Sequence, residues 1–134
     1  MASQLTLDRR HSFSGKKNLD WFFANRKWVR TSPLAVTECA WAKRPLPLGE
    51  AGVRILLLAS KRSYKLAHDR NKIRRWLRAA ITQTEAFPQI EETMLARGEQ
   101  LIIMLRISKP VRAVQWDAIV SDVHTIAVHL TKRV

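Results

Sequence analysis

Eight basic residues and a single acid stand within the eighteen positions 61–78: Lys61, Arg62, Lys65, Arg70, Lys72, Arg74, Arg75 and Arg78, with Asp69. At helical spacing, Arg70, Asn71, Arg74, Arg75 and Arg78 share an arc of about 140°. Ile73, Trp76, Leu77, Ala80 and Ile81 take the opposite side. Such a helix packs one face and offers guanidinium groups on the other. A planar guanidinium donates two parallel hydrogen bonds to a phosphate, and Asn71 adds a neutral donor and acceptor for a ribose hydroxyl or base edge. Like charges at a spacing of four (Arg70, Arg74, Arg78) mildly destabilise an isolated helix, so compensation is expected from an outside anion. The plain alternative is a solvated cationic face. The density of charge and the clean apolar back favour nucleic acid.

No catalytic constellation accompanies this segment. His11, His68, His124 and His129 are scattered, and the last two, five positions apart, have a poor metal-ligand spacing. The pair Glu91-Glu92 reads as a solvated acidic connector. Asp117 and Asp122 lie on a helical stretch without a partner motif. Cys39 is the only cysteine, so neither a disulfide nor a cysteine-based metal cluster forms within one chain. The expectation is therefore no catalytic residue and no metal ligand in the protein itself.

The elements that position the basic segment can be read from pattern. With 134 residues the chain is one domain on size, and 46% hydrophobic residues suffice for a core. Twenty-four Lys and Arg against 11 Asp and Glu give a formal charge of +13, which repels itself unless a polyanion neutralises it. Residues 1–16 read as a basic, flexible arm with Phe13 as an anchor, leaving a single domain over 17–134. A first helix is expected over about 17–25, with Leu19, Phe22 and Phe23 as its core stripe. Trp28 and Val29 begin a short strand. Residues 34–41 read as a strand, with Leu34, Val36 and either Glu38 or Ala40 on alternating faces. Pro45, Pro47 and Gly49 mark a loop, and 53–60 is a buried strand. The basic helix starts near Ala67 or His68 and stops before Pro88. A buried strand follows over 100–107, then a helix over about 114–130. The expected architecture is an α/β (α+β) two-layer sandwich with three helices on a small mixed sheet. The strand–helix–strand stretch over 53–107 fits a parallel crossover, a kind of unit that is right-handed as a rule. The N-terminus lacks the apolar core of a signal peptide, and the longest apolar runs are too short to span a bilayer. A soluble cytoplasmic protein with no membrane partner is expected.

At this point the chain resembles the protein component of bacterial ribonuclease P. That family carries an Arg-Asn-Arg segment followed by further basic residues on one helix, after a buried strand that ends in Ser or Ala and two basic residues. Here stand Ser60-Lys61-Arg62, a seven-residue connection, Arg70-Asn71-Lys72, then Arg74, Arg75 and Arg78. Ala67-His68 before Asp69 resembles the proteobacterial version. The likeness is specific over about 53–80 and weaker over 17–42, where Leu19-Asp20-Trp21-Phe22-Phe23 resembles the first-helix aromatic pattern. The resemblance implies a four-stranded mixed sheet with three helices and a left-handed β-α-β crossover, against the general handedness rule. It implies that Lys61, Arg62, Lys65, Arg70, Asn71, Lys72, Arg74, Arg75 and Arg78 bind the catalytic RNA. Leu19, Trp21 and Phe23 would line a cleft for the single-stranded 5′ leader of precursor tRNA. The reaction implied is hydrolysis of one phosphodiester, performed by the RNA with Mg²⁺ bound mainly by that RNA, with one protein per catalytic RNA. Two departures stand out: Lys72 turns a bidentate contact into a point charge, and Leu19 occupies a position where many members carry an aromatic. Phe23 is then either a stacking residue or plain core.

Three other classes compete. A generic RNA-binding or ribosome-associated protein explains the charge but not the spacing of the basic motif. A DNA-binding regulator would pair its recognition helix with another helix rather than flank it with strands. A self-sufficient metallonuclease would cut substrate with Mg²⁺ and no RNA.

Overall fold

Residues 101–105 are wholly apolar, and a strand of that kind needs cover on both faces. In the computed structural model, which describes residues 7, 11–45, 51–59, 64–107, 109 and 114–134, it has that cover. The elements run α1 (Lys16–Asn25), β1 (Lys27–Trp28), β2 (Thr37–Pro45), β3 (Gly52–Leu58), α2 (Ala67–Gln83), α3 (Ala86–Arg97), β4 (Glu99–Ile107) and α4 (Trp116–Arg133). The sheet order is β1-β2-β4-β3. β4 pairs antiparallel with β2 and parallel with β3, so the sheet is mixed.

Strand alternation sends two sets of side chains in opposite directions. Cys39, Trp41, Val53, Ile55, Leu101, Ile103 and Leu105 point to one face, where α2, α3 and α4 bury Ile73, Leu77, Phe87, Met94, Ile119, Val123 and Ile126 against them. Burial pushes the Cys39 thiol up, which keeps it protonated. Ala40, Ala42, Ile102 and Met104 point to the other face and are covered by Phe13 and Phe22, with Leu19 and Trp21 packed alongside. The small Ala40 and Ala42 let α1 lie close. The fold is the expected two-layer α+β arrangement with α1 laid on the opposite face.

Among the described residues there are four helices rather than three. Pro88 does bound α2, but it also sits in the first turn of α3, where its missing N–H costs nothing. Phe87, Ile90, Glu91 and Met94 form a buried stripe on α3, and Gly98 ends it at φ 65, a left-handed cap. Glu91 is therefore not a solvated connector residue. It is 6% exposed; its Oε2 accepts the Val53 amide at 3.0 Å and lies 3.5 Å from Nε2 of the buried His11. Gly52 makes room for it: at φ 109, a Cβ would come within 2.5 Å of Glu91 Oε1. Replacing Glu91 with Ala leaves the Val53 N–H buried without its acceptor and is expected to cost about 2–3 kcal/mol. Urea unfolding should show a lower midpoint at unchanged slope, and Glu91→Gln, which keeps a carbonyl acceptor, should recover part of the loss.

β2 is shifted three residues from its expected start. Pro33 and Leu34 form a turn closed by Ala35 N–H to Ser32 O at 2.9 Å, and Leu34 is 90% exposed. Asp122 on α4 fixes the new start, its Oδ2 accepting the amides of Val36 at 2.8 Å and Thr37 at 3.0 Å. Residues 11–15, assigned from the sequence to the arm, pack on the domain: Phe13 is buried as an anchor, and Ser12 forms a parallel bridge with Ile55. Of the expected loop residues, Pro45 instead ends β2, and Pro47 and Gly49 lie outside the described residues; of the expected arm, Lys16 opens α1 and residues 1–6 and 8–10 lie outside them. No helix among the described residues is long and apolar enough to cross a membrane.

Candidate nucleic-acid interface

From Ala67 onward the basic segment is helical, as α2, and its apolar back is sunk as the periodicity requires. Ile73, Leu77, Ala80 and Ile81 have no solvent exposure. Trp76 is half-buried, edge-on to Trp116 with ring centroids 6.0 Å apart. Asp69 stands in the first turn of α2, at the positive end of its dipole. Ahead of the helix, the buried Tyr64 donates its hydroxyl to the Lys109 carbonyl and ties the approach to α2 to the stretch after β4. Burial and the nearby Asp69 carboxylate both raise the Tyr64 pKa, so the phenol remains a donor.

The opposite face stays open. Asn71, Arg75 and Arg78 are exposed, and Arg70 and Arg74 are partly so. Among the described residues no carboxylate pairs with any of the four arginines. Arg70 differs from the rest in donating to the carbonyls of Tyr64 at 2.8 Å and Lys65 at 3.2 Å, so it braces the N-terminal end of the helix. Lys72 lies over the Trp76 ring, 4.7 Å from its centroid, and leans toward the packed side. Lys65 is exposed, whereas Lys61 and Arg62 lie outside the described residues. Arg74 and Arg78 overhang a groove of about 210 Å³, whose other walls are β3 and residues 11–13. That wall was not legible from the basic motif, because it comes from a segment some sixty positions earlier in the chain.

A second surface forms where α1 meets β1. Phe22, in the middle of the expected stripe, is the α1 residue that is fully buried, whereas Phe23 is 42% exposed and so is not core. The Arg26 guanidinium lies between Phe23 and Trp28, 5.0 Å and 4.8 Å from their ring centroids. Arg106 adds a second guanidinium 4.8 Å from Trp28, and its Nε and Nη2 both donate to Glu38 Oε2, at 2.9 Å and 2.7 Å. The result is a row of alternating rings and cations on one side of the molecule. Leu19 and Trp21 are half-buried at the other end of α1, where Arg44 stacks 4.7 Å from the Trp21 centroid and donates to Gln100 and Asn18. Of the three expected cleft residues, Phe23 joins the open row, and Leu19 and Trp21 are half-buried against the cluster of Phe13 and Phe22. Arg26, Trp28 and Arg106 escaped the sequence reading. The signal was the register that pairs Trp28 with Ala40 and so puts it on the face covered by α1.

Among the described residues no three His, Cys, Asp or Glu side chains converge so as to hold a metal ion.

The chain is thus an α+β protein with a mixed sheet, a helix that has one apolar face and one cationic face without carboxylate partners among the described residues, and a separate aromatic–guanidinium row on the α1 side. The family model for ribonuclease P matches residues 7–131, nearly the whole chain. The chain belongs to the ribonuclease P family as a protein component of that ribonucleoprotein endoribonuclease, a tRNA-processing enzyme whose partner is ribonuclease P RNA. No curated protein sequence matches it significantly.

Proposed function

We propose that the open face of α2 binds the catalytic RNA and that the row formed by Phe23, Arg26 and Trp28 holds the single-stranded 5′ leader of precursor tRNA. The single observation that carries this reading is that, among the described residues, the α2 arginines have no carboxylate partner, while a separate aromatic row is exposed. The first surface suits a phosphate backbone, because it offers charge with little apolar area. The second suits unpaired bases, because rings and guanidinium planes stack on any base. Catalytic RNA and substrate are both polyanions that repel as they approach. A cationic wedge carrying +13 lowers that cost and orients the leader across the bond to be cut. The hydrolysis that frees the mature tRNA 5′ end then belongs to the RNA, with Mg²⁺ held mainly there and one protein per RNA.

Reconstitution is the test. The chain is combined with a bacterial ribonuclease P RNA and precursor tRNA at low Mg²⁺. Cleavage at the mature 5′ end should be strongly accelerated by the protein, and protein without RNA should give none. Acceleration that is absent, or that appears without the RNA, would return the chain to a generic RNA-binding or a nuclease reading respectively.

A further inference from the structure

The sheet edge opposite β3 carries a second cationic recess that neither α2 nor the aromatic row uses fully. It is a cavity of about 270 Å³ between β1 and the C-terminal end of α4, lined by Lys27, Trp28, Arg30, Trp41, His129 and Arg133. Among the described residues no carboxylate lines it. Lys27 sits over the buried Trp41 ring, 5.2 Å from the centroid. None of Lys27, Arg30, His129 and Arg133 has an ion-pair partner among the described residues. A helix C-terminus attracts cations, which accounts for Arg133 and His129 in the last turns of α4. It does not account for Lys27 and Arg30, which come from β1 and the residues after it. Gathering all of these at one edge of a chain that is already strongly positive adds self-repulsion, so the arrangement fits an anion supplied from outside.

The geometry points to this recess as a phosphate-binding subsite for single-stranded RNA, taking the 5′-distal part of the leader once it has crossed the row beside α1. The inference rests on the leader-binding reading above. Two features favour this occupant over the catalytic RNA. Trp28 belongs both to the aromatic–guanidinium row on the α1 face and to the wall of the recess, so a strand stacked along the row meets the recess where it turns around the β1 edge. The recess also lies at the β1 edge, whereas α2 packs against β3 at the other edge of the sheet. Its volume, below the ~300–1,000 Å³ usual for ligand pockets, admits one sugar–phosphate unit rather than a duplex.

The test uses the reconstituted holoenzyme with precursor tRNAs of graded leader length, comparing the wild type with the Arg30→Ala/Arg133→Ala double variant. Both residues are exposed and outside the core, so folding should be retained. For leaders long enough to pass Trp28, the variant should bind about five- to twenty-fold more weakly, with a salt slope lower by about 1.4 for two lost single-strand contacts. For leaders that end on the row it should match the wild type. Equal weakening at every leader length would assign the recess to the catalytic RNA and overturn the inference. No weakening at any length, while the wild type still gains affinity from a leader, would overturn it too. A wild type that gains nothing from any leader would show that the leader reading itself had failed, which the wild-type series reveals without the variant.

Discussion

Replacing Arg74 and Arg78 together with alanine is expected to weaken binding of the catalytic RNA by about 1–3 kcal/mol, roughly 5- to 150-fold. Neither side chain has a hydrogen-bond or ion-pair partner among the described residues, so their removal takes nothing from the fold that the structure displays. Both overhang the same groove, and both are positioned by the buried Leu77 and Ile81 behind them. If each contacts a phosphate, the slope of log affinity against log salt should fall by about 1.4–1.8, the two limits corresponding to single-stranded and duplex RNA. Titrations of labelled RNA at several salt concentrations, with circular dichroism to verify an intact fold, provide the measurement. An unchanged slope would mean that neither arginine meets a phosphate, even if affinity fell. Lysine at both positions should restore most of the slope but less of the affinity, because a point charge lacks the fork.

The basic helix could be read from sequence because two independent patterns coincide on it. Its apolar stripe sets the buried side, its charge sets the open one, and neither depends on a distant residue. α3 failed the same reading because Pro88 and the Glu91-Glu92 pair look like breakers when local rules are applied alone. Pro88 falls where a helix tolerates it, and Glu91 becomes a core residue only because the amide of Val53, 38 positions earlier, needs an acceptor. The start of β2 was misplaced for a related reason. Thr37 begins that strand because Asp122, 85 positions away, accepts its amide. The cleft fared likewise. α1 was placed within a residue of its true start, but the choice between Phe22 and Phe23 as core depends on which way the helix leans over Ala40 and Ala42. A strand of only two residues, β1, then brings Trp28 beside Phe23, and nothing in the local pattern fixes that register.

On the proposed reading, the arrangement separates two kinds of RNA contact that would otherwise compete. On α2 the guanidinium groups are mostly unstacked and face solvent, which favours phosphate oxygens and a strong dependence on salt. Beside α1, the guanidinium groups of Arg26 and Arg106 are already stacked on rings, and Arg106 is neutralised by Glu38 at 2.7 Å. That pair lowers the local charge and leaves the ring faces and edges as the attractive element. A strand held there depends more on stacking than on charge. The two surfaces should therefore respond differently to ionic strength: RNA assembly should weaken steeply as salt rises, while the leader's added contribution should weaken less.

Phe23 offers the sharpest test of that distinction. Phe23→Ala is expected to cost about 1–3 kcal/mol of affinity for precursor tRNA if one base stacks on the ring, and to leave binding of mature tRNA unchanged. The loss should persist at high salt, unlike that of the α2 variants. Phe22→Ala serves as the contrast. Phe22 is fully buried, edge-on to both Phe13 and Phe23, and its truncation should cost about 3–5 kcal/mol of stability, lowering every activity together. Phe23→Leu separates packing from stacking: leucine keeps an apolar contact with Phe22 but presents no ring to a base or to Arg26. If Phe23 stacks on the leader, the leucine variant should fold like the wild type and bind precursor like the alanine variant. If leucine restores binding, or if alanine weakens mature and precursor tRNA alike, the ring is supporting α1 rather than touching RNA. The row beside it would then lose its claim on the leader.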